Sequence, residues 1–257
     1  MIVAALALLL AAAPELRVCA DPNNLPFSNR AGQGFENKLA EMIAADRGAR
    51  LTYVWWAQRR GNVRETLNEG LCDLIMGVGS NLEMLGTTRP YYRSTYVVVT
   101  RADRNLSIGS LDDARLRALK VGVQLIGDDG SNTPPAHALT RRGIIDNVRG
   151  YTIYGDHSAG DPQAAIVKAV ADGEIDVALV WGPVAGYFAA HQPVPLRIEP
   201  ISPRFDGPQL PMLFDVSVGV RKTDTALKHD VETFLDEHDG EVRTLLARYG
   251  VPLADDD

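Results

Sequence analysis

Apolar and polar positions follow the same strand and helix order twice along this chain. Runs of β-forming residues predict strands at residues 16–20, 51–56 and 74–78, and again at residues 119–124, 148–154 and 177–180. Helical spacing between those runs predicts helices over residues 35–47 and 63–68, from residue 133 or 134, and over 163–171. Each half is therefore predicted to form a small, mainly parallel sheet covered by helices.

A repeated motif supports two similar lobes. A Gly-x-x-Asp motif stands before the third strand and ends at Asp73, and it recurs 103 positions later, ending at Asp176. The first strand of each half repeats at the same offset, as Leu-Arg-Val at residues 16–18 and Leu-Lys-Val at residues 119–121. Two such lobes create a cleft between them.

Two segments are predicted to connect the lobes. Residues 91–100, rich in β formers, predict a crossing strand, and residues 214–220 alternate as an extra strand returning to the first lobe, where the helical stretch 225–249 also packs. The predicted fold is α/β, with two doubly wound, mainly parallel sheets joined by a two-strand hinge. The predicted division is residues 1–13 as a signal-peptide-like segment, residues 14–98 with 210–257 as lobe 1, and residues 99–209 as lobe 2.

Charge and length narrow the class of protein. The 257 residues are 46% apolar, which is enough for two modest cores, and the net charge of −7 argues against a nucleic-acid partner. Residues 2–13 are apolar, but this run is short of the ~20 residues that a membrane-spanning helix needs. It has the length of a signal-peptide core and ends in three alanines, so we expect an exported, periplasmic protein without a membrane span.

The chain has two cysteines. Cys19 lies in the first predicted strand, and Cys72 lies just before the third, which runs beside the first in a doubly wound lobe. In an oxidising compartment the two can form a disulfide, which we favour, and the alternative is a pair of buried thiols. Arg17 does not fit a lipoprotein signal, so Cys19 is expected to be structural.

Five strings of residues carry a resemblance to a known family. They are residues 17–28, Trp55-Trp56 with residues 58–61, residues 88–96, residues 122–130, and Trp181-Gly182-Pro183. Through them the chain resembles the class II periplasmic binding proteins over its mature length. It is more closely similar to the group associated with quinoprotein dehydrogenases, which includes the methanol-oxidation J proteins.

The resemblance implies a function without chemistry. It implies a periplasmic accessory of a methanol dehydrogenase that depends on pyrroloquinoline quinone (PQQ). Such an accessory binds that enzyme, with its cytochrome c as a further candidate partner, and assists its maturation or activation. No cofactor of its own is expected. Two alternatives stay open: a solute receptor of an ABC transporter for a small non-amino-acid ligand, and an enzyme similar to cyclohexadienyl dehydratase.

The cleft departs from that of the amino-acid receptors that resemble this chain. Those receptors hold the ligand carboxylate with an Arg soon after the third strand, and the ammonium with an Asp at the end of the last strand of lobe 2. Residues 79–84 contain no Arg, and Trp181 stands where the Asp is expected. Because an unpaired buried ion costs several kcal/mol, free amino acids are not expected as ligands.

Aromatic and polar residues are the candidates for the cleft lining. They are Trp55, Trp56 and Trp181, with Asp21, Asn23, Arg59, Arg60, Arg89 and Gln124 as polar points. Neighbours on a strand point to opposite faces, so only one of Trp55 and Trp56 can face the cleft. Arg59 and Arg60 are alternatively ordinary surface charges, and Arg89 alternatively pairs with a nearby carboxylate.

Motifs of catalysis are missing from the sequence. It contains no nucleophile elbow, phosphate loop, His-Glu-x-x-His helix or Cys-x-x-Cys pair, and its five histidines are scattered. The polar loop around Asp128 and Asp129 lacks the later Glu of a calcium-binding loop. We therefore predict no catalytic residue and no metal site.

Overall fold

The structure, a computed structural model, describes residues 13–59, 61–126, 131–153 and 160–254. In chain order the strands are β1 (Glu15–Ala20), β2 (Asn23–Asn24), β3 (Ser28–Asn29), β4 (Arg50–Trp55), β5 (Leu74–Gly79), β6 (Gly86–Thr87), β7 (Tyr92–Arg101), β8 (Val121–Ile126), β9 (Ser131–Asn132), β10 (Val148–Thr152), β11 (Val177–Trp181), β12 (Leu196–Pro200) and β13 (Leu213–Val220). The helices are α1 (Phe35–Asp46), α2 (Asn62–Glu65), α3 (Pro134–Arg141), α4 (Ala164–Ala171), α5 (Gly182–Ala190), α6 (Thr225–Glu237) and α7 (Asp239–Arg248).

The two halves of the chain build matching sheets. In lobe 1, β4, β1 and β5 are parallel and β13 lies antiparallel beside β5. In lobe 2, β10, β8 and β11 are parallel and β7 lies antiparallel beside β11. The predicted two-lobed α/β fold is confirmed.

Strand β7 joins the lobes. Its first residues, 92–95, pair with β13, whereas residues 96–101 pair with β11 and β12. The sheets therefore continue into each other through one long strand. The lobe boundaries near residues 98 and 209 stay a prediction.

The repeated Gly-x-x-Asp motif has the same geometry in both lobes. The carboxylate of Asp73 accepts the backbone N–H of Arg17 at 3.0 Å, and that of Asp176 accepts the N–H of Lys120 at 2.9 Å. In return, the N–H of each aspartate donates to the carbonyl of the same partner, at 2.8 and 2.9 Å. The motif therefore fastens the start of each third strand to the first strand.

Apolar clusters cover both faces of each sheet. In lobe 1, helices α1, α6 and α7 pack on one face, where Leu39, Phe234 and Leu246 are buried against β1 and β5. The opposite face carries a small cluster that includes the disulfide between Cys19 and Cys72, whose Cα atoms are 5.6 Å apart. The disulfide that we favoured from the sequence is confirmed.

The helices differ from the sequence prediction in three places. Helix α2 ends at Glu65 instead of residue 68, and the Thr66 side chain bonds back to the Asn62 carbonyl at 2.7 Å. The predicted stretch 225–249 divides at His238 into α6 and α7. Helix α5 was not predicted, because Trp-Gly-Pro resembles a turn, although a proline also suits the first turn of a helix.

Some predictions concern segments outside the described residues. These are the export segment, of which only Ala13 is described, Arg60, and the loop around Asp128 and Asp129. Within the described ranges, no helix combines the length and apolar character that crossing a membrane requires.

Candidate functional site

A cavity of about 350 Å³ lies between the lobes. Lobe 1 contributes the loop after β1, the start of α1 and the end of β5. Lobe 2 contributes β8, the starts of α3 and α5, and the end of β11, while β7 and β13 form the floor. The cavity therefore lies at the carboxyl ends of the parallel strands, where open α/β sheets bind ligands.

A chain of side-chain amides bridges the lobes at the cavity wall. From lobe 2, the Trp181 N–H donates to Gln124 Oε1 at 2.8 Å, Gln124 Nε2 to Gln163 Oε1 at 3.1 Å, and Gln163 Nε2 to Asn24 Oδ1 at 2.5 Å. In lobe 1, Asn24 Nδ2 donates to Gln58 Oε1 at 3.2 Å. Because Gln124, Gln163 and Asn24 are buried, this relay satisfies groups that would otherwise be costly to bury.

Three aromatic rings form a corner of the cavity. Trp181 contacts Tyr96 with ring centroids 5.3 Å apart and Phe214 at 5.9 Å, and Tyr96 contacts Phe214 at 6.4 Å. Their planes meet at 62°, 68° and 78°, respectively, so the rings face different directions. We call Tyr96, Trp181 and Phe214 the aromatic corner.

Glu36, the second residue of α1, is a buried acid in the cavity lining. Its carboxyl group fits beside Gly77, where a Cβ atom would lie 2.3 Å from Glu36 Oε1. Within the described ranges, one side-chain hydrogen bond reaches this carboxyl group, from the Tyr91 hydroxyl at 3.5 Å. Burial raises the pKa of Glu36 to about 8; the Tyr91 hydrogen bond opposes this shift, and the negative charge of Asp21 adds to it. The carboxyl group is therefore mostly protonated at pH 7.

Asp215 is the second acidic residue in the lining. Its carboxylate is held by the Arg93 guanidinium through two hydrogen bonds of 2.6 and 2.9 Å. Such a bidentate ion pair occupies both carboxylate oxygens. Among the described lining residues there is no Lys, Arg or His.

Two of the predicted cleft residues lie at this cavity. Trp181 belongs to the aromatic corner, and Gln124 joins Trp181 to Gln163 in the chain of amides. Asp21 supports the wall from behind, since its buried carboxylate accepts the backbone N–H of Asn23 at 2.8 Å and that of Gln58 at 2.7 Å. Asn23 itself is half-buried in β2.

Trp55, Trp56 and Arg59 lie elsewhere. They line a separate surface pocket of about 470 Å³, together with Arg30 and Arg64. Trp55 lies between Tyr53, stacked at 4.6 Å, and the Arg30 guanidinium, 5.6 Å from its ring centroid. We call Arg30, Trp55, Trp56 and Arg59 the outer patch.

Arg89 is outside the cavity lining as well. Its guanidinium pairs with Asp236 and donates to the Glu232 carbonyl at 3.1 Å, while its backbone N–H donates to the Glu232 carboxylate at 3.1 Å. This is the carboxylate pairing that the sequence left open as an alternative.

Several cavity residues were not predicted from the sequence: Glu36, Tyr96, Phe214, Gln163 and Asn24. Glu36 had a signal, because it stands four residues before Ala40 and seven before Ile43, on the buried stripe of α1. An acid on such a stripe indicates a buried carboxyl. The others had none, since their positions depend on how the two lobes meet.

Metal chemistry has no support at this site. Among the residues that the structure describes, no group of three or more His, Cys, Asp and Glu side chains could hold a metal ion.

The two lobes, the crossing strands and the cavity between them define the class II periplasmic-binding-protein fold. The family described as "Bacterial extracellular solute-binding proteins, family 3" matches residues 16–252. Protein MoxJ of Methylorubrum extorquens is 32% identical over 94% of this chain and 82% of its own length. Protein MoxJ of Paracoccus denitrificans is 34% identical over 95% of this chain and 91% of its own length.

A solved structure extends this similarity. The periplasmic binding protein XoxJ from Methylobacterium extorquens AM1 has a TM-score of 0.75 and 35% identity, covering 94% of this chain and 100% of that one. The chain therefore belongs to family 3 of the bacterial extracellular solute-binding proteins and, within that family, to the MoxJ type.

Proposed function

We propose that this protein is a periplasmic accessory of a PQQ-dependent methanol dehydrogenase, which it binds and helps to mature or become active. It performs no chemistry in this proposal. Its likeness to the MoxJ and XoxJ proteins supports a periplasmic binding protein associated with methanol oxidation. The dehydrogenase as partner, and the maturation role, are the further step that we propose.

The observation that carries the proposal is the charge of the cavity lining. A receptor for amino acids needs a cation for the ligand carboxylate, because a desolvated carboxylate without a partner is costly. The described lining contains no basic side chain, and the side chain of Asp215 is already held by Arg93. A scaffold that has lost the zwitterion clamp is free to serve a partner protein instead.

The outer patch is the docking face that we propose for the dehydrogenase. Trp56 is 42% exposed, and Arg59 is an exposed residue of the same pocket. Trp and Arg are the residue types that contribute most binding energy at protein interfaces. A basic, aromatic patch on a protein of net charge −7 is complementary to an acidic face of the partner.

The first experiment compares a strain that lacks this protein with the same strain carrying the restored gene. Dehydrogenase activity, PQQ content and metal content are measured per dehydrogenase subunit. We expect all or some of these quantities to fall in the deletion strain and to return on complementation. Equal activity, PQQ and metal in both strains would argue against the proposal.

The second experiment tests the docking face with the purified dehydrogenase. Trp56→Ala combined with Arg59→Glu should weaken binding in a calorimetric titration by about tenfold or more, as expected for an interface centre. Phe205→Ala is the matched control, because Phe205 is an aromatic residue of lobe 2 that is 58% exposed. Equal affinities for both variants and the unchanged protein would remove the outer patch from the proposal.

A further inference from the structure

The interlobe cavity combines buried acid, aromatic rings and the absence of basic groups among its described lining residues. We infer that it binds an organic monocation of the alkylammonium class, with Glu36 as counter-ion and the rings of Tyr96, Trp181 and Phe214 around its methyl groups. This inference goes beyond the proposed function and does not depend on it, since the outer patch lies apart from the cavity.

The charged groups of the cavity lining favour a positively charged ligand. The two ionisable acids in the described lining are Glu36 and Asp215, and Arg93 already neutralises Asp215. Among the described residues, the Glu36 carboxyl group has one hydrogen-bond partner, the Tyr91 hydroxyl at 3.5 Å, and no described residue bonds its second oxygen. An anion or a zwitterion would place a carboxylate where the described lining residues offer it no positive side chain.

The aromatic corner decides the kind of cation. Ring faces attract cations, and aromatic cages recognise substituted ammonium groups because these are weakly hydrated and apolar at their surface. Neighbouring rings of the corner meet edge to face at 62° to 78°, so a rounded group placed against them contacts rings of different orientation. The remaining wall includes the apolar side chains of Phe27, Ile126, Ile153, Val184 and Val216.

Space at Glu36 is maintained by glycine. Gly77 has φ +69°, and a side chain at this position would occupy the place of the Glu36 carboxyl group. The acid is thereby held in the wall of the cavity instead of being displaced into solvent. At about 350 Å³ the cavity suits a small ligand.

Binding of a cation must be coupled to loss of a proton. Burial raises the pKa of Glu36 to about 8, so the cation has to displace the proton below that pH. The other titratable groups that face Glu36 are Asp21, Tyr91 and Tyr92; both tyrosines have a pKa well above 10 and stay neutral. The apparent affinity should therefore fall about tenfold for each pH unit below 8 and level off above it.

The test is a calorimetric titration of the full chain with tetramethylammonium chloride at pH 6, 7, 8 and 9. We expect saturable binding of one ion with the predicted pH profile. Because binding below pH 8 releases a proton to the buffer, the measured binding enthalpy should vary with the ionisation enthalpy of the buffer. Tert-butanol, an uncharged molecule of similar size, should bind more weakly. No saturable heat at pH 9, or equal affinity for tert-butanol, would overturn the inference.

Variants assign the binding to Glu36. Glu36→Gln should weaken binding by about tenfold or more and remove its pH dependence, because the counter-charge is lost. Glu41→Gln, an exposed acid on the same helix, is the matched control and should bind like the unchanged protein. Equal binding by Glu36→Gln and the unchanged protein would overturn the inference.

A second variant keeps the test valid if Glu36→Gln does not fold. Phe214 is 37% exposed, so Phe214→Leu should fold normally. We expect tetramethylammonium to bind this variant about fivefold more weakly, because the attraction between the cation and one aromatic ring face is lost. Unchanged affinity in this variant would overturn the role of the aromatic corner and, with it, the inference.

Discussion

The two lobes differ in how the first strand is held to the segment before the third strand. In lobe 1, β1 and the segment before β5 are linked by the disulfide between Cys19 and Cys72. The positions 103 residues later in lobe 2 are Gly122 and Ile175. Ile175 lies directly over Gly122, where a Cβ atom would be 2.5 Å from Ile175 Cδ1. A covalent link in one lobe corresponds to close apolar contact in the other.

The size of the surrounding core explains the difference. Cys19 and Cys72 belong to a small cluster with Leu67, Ile75 and few other residues. Ile175 belongs to a larger cluster that is covered by helices α4 and α5. A face that buries little apolar surface gains more from a crosslink, which stabilises the fold by restricting the unfolded chain.

Among the changes that test this comparison, removal of the disulfide should have the largest effect on the free energy of unfolding. Cys19→Ala with Cys72→Ala should lower the free energy of unfolding by about 4 kcal/mol, from the loop entropy of a link of this span. The measurement is urea unfolding, with hydrogen exchange to locate the loss in lobe 1. A reductant should destabilise the unchanged protein equally and leave the double variant unaffected. Loss of protection spread evenly over both lobes would contradict a local role.

The second contrast between the lobes is at the cavity. The second residue of α1 is Glu36, whereas the second residue of α3 in lobe 2 is Pro135. The folded pKa of Glu36, about 8, is above the ordinary value of 4.5. Its contribution to stability is therefore complete below pH 4.5 and is lost as the pH rises to 8.

Glu36→Gln should remove this pH dependence. Relative to the unchanged protein, the variant should gain on the order of 3 kcal/mol between pH 5 and pH 8, since one pKa unit corresponds to about 1.4 kcal/mol. Unfolding free energies at several pH values measure this gain, and Glu41→Gln serves as the control. Parallel curves for Glu36→Gln and the unchanged protein would contradict the protonated state that we assign to Glu36.

The sequence predicted the frame of the fold because the frame follows from local patterns. The repeat of Asp73 as Asp176 fixed two equivalent lobes, and the alternation at residues 214–220 predicted the returning strand. Helix α5 was missed because its start, Gly182-Pro183, has the composition of a turn. Local signals are ambiguous where helix starts and turns favour the same residues.

The cavity was less predictable because it depends on contacts between distant segments. Trp181 and Gln124 were found because they end or occupy strands of lobe 2. Asn24 and Gln163 are 139 positions apart and meet through the closure of the two lobes. No periodic pattern encodes such a pair. Trp55 is the last residue of β4 and Trp56 follows it, so both stand where a cleft residue is expected. In the structure both line the outer patch instead of the cavity.

A methyl group added at Gly122 should disrupt the contact between Gly122 and Ile175 in lobe 2. Gly122→Ala should cost about 2 kcal/mol of unfolding free energy, because overfilled cores lose 1 to 3 kcal/mol in general. Ile175→Val removes the conflicting Cδ1 atom and should recover part of that loss in the double variant. Gly109→Ala, where an added methyl group meets nothing within 4 Å, is the control. Additive losses in the double variant would contradict the direct contact.

The smallest expected difference concerns the repeated aspartates. Asp73 is paired with Arg17 through oxygens at 2.6 and 3.1 Å and also with Arg221 at 3.3 Å, whereas Asp176 is paired with Arg104 at 2.7 Å. Burial would raise the pKa of Asp73, but its hydrogen bonds and the charge of Arg17 outweigh burial and lower it.

Asp73→Asn should therefore cost about 1 kcal/mol more than Asp176→Asn at pH 7, since both variants keep an acceptor for the backbone N–H and differ in the ion pairs lost. The folded pKa of Asp73 lies below its ordinary value, so this contribution is complete above pH 3.8 and is lost as the pH falls through the folded pKa. Urea unfolding at pH 7 and pH 3 measures the difference. If both variants lose the same free energy at pH 7, the extra arginine in lobe 1 adds no measurable stability, and the repeat is energetically as well as geometrically symmetric.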